Sequence, residues 1–272
     1  MPDLSGIDWD DAFANGPYIA NAMGYPDLWT DLAQNFRNTH PRKELDCAYG
    51  THPREVFDLF WPDEEARGLV VFVHGGYWLK FDKSFWSHLA KGPLAHGWAV
   101  ALPSYVLAPE ARLPDMTWQV AAALAAAAEK VRGPIHLAGH SAGGHLVSRM
   151  ACANAPLAAD LRVRVKRVVS ISGLHHLEPL QLTKMNDDLR LDLQQAVEES
   201  AALQDPAGGI DTVCWVGAQE RPEFLRQTRL LEECWKRKGA HVRAVYEEDR
   251  HHFNVIDGLA DPGSALTNAL IG

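Results

Sequence analysis

From residue 69 onward the chain repeats one pattern, a short apolar run rich in β-branched residues followed by a stretch of helical length. The runs LVVFVH (69–74), WAVALP (98–103), IHLAG (135–139), VKRVVSIS (165–172), TVCWVG (212–217) and HVRAVYEE (241–248) read as strands. Most are apolar almost throughout rather than alternating, so their strands should be covered on both faces. Between them the pattern predicts helices, most clearly at 115–131, where a run of alanines combines high helix propensity with close packing. Others are expected after Ser141, near Pro222 and near Asn254. Such an alternation specifies an α/β fold with a mostly parallel central sheet and helices on both faces. Ahead of it, residues 45–60 can supply two antiparallel strands joined around 50–53.

Two stretches break the alternation. Residues 1–40 carry scattered aromatics, among them Trp9, Phe13, Tyr18, Tyr25, Trp29 and Phe36, and are expected to cover one end of the sheet. Residues 174–204 read as a mixed helical insertion between two strands, and a long excursion of this kind is expected to form a short helical lid. With no internal repeat and no low-complexity linker, the 272 residues are read as a single domain over 1–272, and 47% apolar content is enough for one sizeable core.

The formal charge of −9 argues against a nucleic-acid partner, which would need a basic face. No run reaches transmembrane length and the N-terminus MPDLSGIDWDDAF is acidic, so a cytoplasmic protein without a membrane partner is expected. The four cysteines, Cys47, Cys152, Cys214 and Cys234, lie far apart without a CxxC pair, and are read as reduced thiols, with Cys152 and Cys214 buried. The oligomeric state is left open, a homodimer included.

Against this background one short segment stands out. Gly139-His140-Ser141-Ala142-Gly143 fits G-x-S-x-G and falls between a predicted strand and a predicted helix. Small residues there permit a sharp turn that lifts the serine hydroxyl above the sheet, and a helix starting at Ala142 aims its unpaired N–H groups and dipole at the same point. A second motif, His74-Gly75-Gly76-Tyr77-Trp78, directly follows the strand at 69–74. Its glycines let backbone N–H groups approach a ligand, so Gly75 or Gly76 together with Ala142 would make an oxyanion hole. Either motif alone also fits a plain tight turn; both together in the required order disfavour that reading.

A serine nucleophile needs a base and an acid, which in this architecture follow in the order Ser, acid, His. Glu220, just past the strand at 212–217, is the candidate acid, with Glu223 a weaker alternative inside the expected helix. The loop DRHHF (249–253) offers His251 and His252 as the base. Neighbouring histidines cannot both face the serine, and the residues alone do not separate them.

Four segments resemble the arylformamidases, or kynurenine formamidases, of the α/β-hydrolases, close to the hormone-sensitive-lipase group: HGGYW (74–78), GHSAGGH (139–145), VGAQERPEF (216–224) and HHFNVID (251–257). The resemblance extends over nearly the whole chain. It implies an α/β-hydrolase fold, with Ser141 as nucleophile, Glu220 as acid and His252, the histidine before Phe253, as base. Glu220 departs from the aspartate common in such enzymes, a change that triad logic permits. Neighbouring lipase-like families carry HGGG at the first motif, so Tyr77 and Trp78 favour a formamidase.

The implied activity is cleavage of N-formylkynurenine or a related aryl formamide to the arylamine and formate, without a metal or organic cofactor. Tyr77 and Trp78, with Trp29 or Tyr18 from the N-terminal segment, are candidates for an aromatic wall around the substrate ring, although each suits core packing equally well. A short-chain carboxylesterase is the enzymatic alternative; a non-catalytic ligand-binding protein of the same fold is disfavoured by the complete triad. His140 and His145 bracket the serine without an evident third metal ligand, so His145 is read as a packed helix residue. His175 and His176 are read as solvated loop residues, and YVLAPE (105–110) as a structural turn.

Overall fold

The computed structural model describes residues 6–272. Eight strands form one sheet: β1 (Lys43–Ala48), β2 (Val56–Phe60), β3 (Leu69–Val73), β4 (Ala99–Pro103), β5 (Ile135–His140), β6 (Val165–Ile171), β7 (Asp211–Gly217) and β8 (Val242–Glu247). Their spatial order is β1-β2-β4-β3-β5-β6-β7-β8. The β1/β2 and β2/β4 pairs are antiparallel, and the remaining pairs are parallel. The six runs expected as strands and the antiparallel pair before them are all present.

Strand periodicity decides which side chains enter which core. Along β3, Leu69, Val71 and Val73 join one hydrophobic core while Val70 and Phe72 join the other, as successive side chains on a strand point to opposite faces. The first core is closed by the helices Leu113–Lys130, Ala142–Met150 and Pro222–Arg237, through residues such as Met116, Leu146 and Leu231. The second is closed by Tyr25–Thr39 and Ala265–Ile271.

Three expectations change in detail. The N-terminal segment carries a fifteen-residue helix, Tyr25–Thr39, that buries Trp29, Ala33 and Phe36 on one stripe with helical spacing. No long helix starts near Asn254; the chain makes short turns there, and a helix begins only at Ala265, capped by the Ser264 side chain accepting the Thr267 N–H at 3.0 Å. Pro262, in the break between them, cannot donate a helical hydrogen bond.

The third change concerns residues 174–204, expected as a lid. Leu174, Leu177, Leu180, Leu189 and Leu191 are buried in the first core. Polar contacts fix the segment as well: the Gln227 side-chain oxygen accepts the N–H groups of His175 and His176 at 2.7 and 2.8 Å, and Thr117 donates to Glu199 at 2.6 Å. The insertion is therefore part of the packed wall. His175 and His176, expected to be solvated, are fully buried, because five leucines outweigh the polar residues around them.

Buried histidines give the fold a definite response to acid. Burial lowers the pKa of His74 to about 4 and those of His145 and His175 to about 3, from an ordinary 6.5. The unfolded chain takes up protons at these rings below pH 6.5 while the folded chain does not. Their contribution is thus complete above pH 6.5 and is lost as pH falls through the window down to 4 or 3, at about 1.4 kcal/mol per pH unit for each ring. Denaturant titrations from pH 7.5 to 5 should show stability falling, and His145→Gln should flatten that slope by about one proton; an unchanged slope would show that His145 titrates alike in both states.

Close backbone packing around the turn after β5 makes a second prediction. A Cβ on Gly143 would stand 2.0 Å from the Val73 carbonyl oxygen, whereas one on Gly263 would meet its nearest neighbour at an ordinary 3.5 Å. Gly143→Ala should therefore destabilise the fold by about 1–3 kcal/mol, read as a lower melting temperature, while Gly263→Ala melts close to the parent.

Candidate active site

At the C-terminal end of β5 the chain reverses into the helix Ala142–Met150 through Ser141, whose φ of 55° and ψ of −115° lie outside the regions that ordinary residues favour. The strained conformation is held from both sides. The Ser141 N–H donates to the Ile171 carbonyl at 2.8 Å, and the Ser141 carbonyl accepts from His145 N–H at 3.0 Å. The turn is so tight that a Cβ on Gly139 would come within 2.2 Å of the Gly143 carbonyl oxygen. Both glycines of G-x-S-x-G are thus required by contact with backbone.

Glu220 and His252 reach the same place from neighbouring strands. Glu220 follows β7, and its fully buried carboxylate is satisfied by three groups. One oxygen accepts from Gly217 N–H at 2.9 Å and from the Ser172 hydroxyl at 2.5 Å; the other lies 2.6 Å from Nδ1 of His252, which sits in the loop after β8. This contact leaves Nε2 as the ring nitrogen available to a neighbour on the opposite side. Glu223 is committed elsewhere, bonded to Arg226 at 2.6 Å and Gln227 at 2.7 Å. His251 turns away from Glu220, with Nε2 placed 3.2 Å from the Tyr25 hydroxyl.

The loop after β3 lies against the Ser141 turn. A Cβ at Gly75 would stand 2.8 Å from the His140 carbonyl oxygen and 3.1 Å from Ser141 Cβ, so only glycine lets the two loops approach this closely. Gly76 has a φ of +114°. Among the described residues, no acceptor takes the amide N–H groups of Gly75, Gly76 or Ala142. Tyr105 supports this loop from beneath, stacking on the His74 ring at 4.5 Å and donating to the His74 carbonyl at 3.1 Å. That is the structural role expected of the segment YVLAPE.

Ser141, His252, His140, Gly75 and Gly76 line one cavity of about 360 Å³, closed by Trp29, Tyr77, Phe81, Trp86 and Phe253 and by Gly16, Ala22, Met23 and Pro26 of the N-terminal segment. The N-terminal segment, and not the insertion at 174–204, covers the site. Of the four aromatic side chains singled out in the sequence, Tyr77 and Trp29 line the cavity. Trp78 does not: it is fully buried in the first core with its ring edge-on to His145. Tyr18 does not either, lying on the surface under the Arg221 guanidinium, 3.6 Å from its ring centre.

Phe81, Trp86, Met23 and Phe253 were not foreseen. Only Phe253 carried a local signal, its position beside His252. His140 donates from Nε2 to the His252 carbonyl at 2.8 Å. Full burial, reinforced by the neighbouring His252, holds its pKa well below the ordinary range and the ring neutral. Among the described residues no group of three or more His, Cys, Asp or Glu side chains is gathered as a metal ion would need, and no helix is long and apolar enough to cross a membrane.

Comparison with known proteins places this geometry in a family. A family model described as the alpha/beta hydrolase family matches residues 70–269. The kynurenine formamidase of Danio rerio is 26% identical over 236 residues, 84% of this chain and 80% of that protein. Among solved structures, a protein from Silicibacter sp. TM1040 provisionally named a thioesterase superposes with a TM-score of 0.94 at 46% identity, covering 98% of this chain and all of that one. An esterase from Pyrobaculum calidifontis superposes with a TM-score of 0.71 at 20% identity, over 92% of this chain and 90% of that one, a likeness of fold alone. With the family model spanning most of its length, and with a sheet and a strand-turn-helix of this form, the chain belongs to the alpha/beta hydrolase family.

Proposed function

We propose that this hydrolase is a serine enzyme that removes the formyl group from N-formylkynurenine or a related aryl formamide. The observation that carries the proposal is the buried Glu220–His252 pair at 2.6 Å, opening onto the cavity that also contains Ser141 on its strained turn. The likeness to a kynurenine formamidase over 84% of the chain supports the substrate. Ser141 Oγ adds to the formyl carbon as His252 Nε2 takes its proton, and Glu220 stabilises the imidazolium that results. The oxyanion is met by the amides of Gly75 or Gly76 and of Ala142. The C–N bond then breaks, with His252 returning the proton to the departing arylamine. Water adds to the formyl-serine, giving its proton to His252; formate leaves, and the proton passes back to Ser141 Oγ. The ring of the substrate rests among Trp29, Tyr77, Phe81 and Phe253.

A carboxylesterase or thioesterase reading draws on the 46% identical relative provisionally named a thioesterase, since the same residues would attack an ester or thioester carbonyl. The acyl side separates the two. Where the loop at Gly75 presses on the Ser141 turn, a hydrogen fits more readily than a chain. On one common aryl leaving group, kcat/KM should fall steeply from formyl through acetyl to butyryl, because each carbon is forced against packed backbone. A profile that rises toward butyryl would instead favour the esterase.

The paired histidines give an independent check. His252→Ala should lower kcat by several orders of magnitude, whereas His251→Ala, which removes a contact to Tyr25, should act mainly on stability. Steady-state kinetics and melting curves on the two variants test this, and the reverse ranking would move the base to His251. Ser141→Ala should abolish both turnover and labelling by a fluorophosphonate while leaving the melting temperature near the parent's or above it, since it changes a strained turn without opening a core cavity.

A further inference from the structure

We propose that Lys80 is a specificity-determining residue that pairs with an anionic group on the leaving part of the substrate, so that the preferred substrates are aryl formamides or esters carrying a carboxylate. The proposal rests on the cavity being the substrate site. Apart from histidines, Lys80 is the one titratable cation among the residues that line it, and no carboxylate lines it. Among the described residues Lys80 makes no ion pair, although the chain carries an excess of nine acidic charges.

Its backbone is locked to the loop that supplies the oxyanion amides: Lys80 N–H donates to the Gly76 carbonyl at 2.9 Å, and the Lys80 carbonyl oxygen would stand 2.3 Å from a Cβ on Gly76. The Lys80 backbone is therefore held in place on this loop, and its exposed side chain lies at the rim of the cavity it lines. Tyr77 and Lys80 also line a second, adjoining cavity with Phe13, Leu79 and Met185. Tyr77 and Lys80 are the residues the two linings share, so a group extending beyond the aromatic ring on this side would meet Lys80. The other charged residue there, Asp10, accepts the Lys184 N–H at 2.8 Å and, among the described residues, makes no ion pair with Lys80. A neutral aryl group needs no cation at this junction; a carboxylate beyond the ring is matched by it.

The test is binding, which needs no turnover. Trp29 and Trp86 line the cavity, so quenching of tryptophan fluorescence should report occupancy by 3-phenylpropionate and by its uncharged amide. The parent protein should bind the carboxylate about tenfold more tightly than the amide, as expected for a charge-assisted hydrogen bond. The preference should shrink as salt is raised, vanish in Lys80→Met and persist in Lys80→Arg, with amide binding unchanged throughout. Equal binding of the two probes by the parent, or the same preference in Lys80→Met, would overturn the proposal. Failure of the formamidase reading would be distinct, because N-formylkynurenine would go uncleaved while the carboxylate preference stayed intact.

Discussion

The backbone at Ser141 sits in a conformation that costs on the order of 1–3 kcal/mol for a residue with a side chain, and contacts from the surrounding fold hold it there. Gly139 and Gly143 touch across the turn, Gly143 rests against the end of β3, and Ser141 N–H is tied to the end of β6. Three adjacent parallel strands thereby converge on one residue. The geometry follows from the parallel sheet itself, in which the C-terminal ends of all the central strands lie on one edge and their loops meet there. Loosening any of these contacts would let the turn relax and carry the hydroxyl away from the amides of the loop after β3.

The charges of the site are fixed in the same manner. Glu220 is removed from water yet accepts two hydrogen bonds besides the contact to His252, so its burial is compensated. His140, in contrast, is kept neutral by burial beside His252 and spends its ring nitrogen on the His252 carbonyl. One histidine thus positions the loop that carries the other. The cover over the cavity is aromatic and largely uncharged, with Lys80 at its margin.

Much of this was legible in the sequence because it rests on local rules. The apolar runs at 69–73, 99–103 and 135–139 are strands since nothing else buries them on two faces, and G-x-S-x-G between a strand and a helix leaves few other turns. Glu220 and His252 are named by chain order and by resemblance. What escaped depends on contacts between distant segments. Trp78 was grouped with Tyr77 by adjacency, but successive residues of a left-handed turn point apart, and Trp78 turned into the core beside His145. The insertion at 174–204 resembled a lid for want of strands, and its five buried leucines only make sense once distant segments have assembled the first core that they join. Phe81 and Trp86 reach the cavity through tertiary packing with Trp29, at 6.0 and 4.7 Å between ring centres, which no sequence interval announces.

The account stands on Ser141, His252 and Glu220 acting on a formyl group in this cavity. Its most direct test is the rate of formate release from N-formylkynurenine, set beside the hydrolysis of p-nitrophenyl butyrate by the same preparation. The account predicts that kcat/KM for the formamide exceeds that for the butyryl ester and that both are lost in Ser141→Ala. Brisk cleavage of the butyryl ester with no formate released from N-formylkynurenine would contradict it.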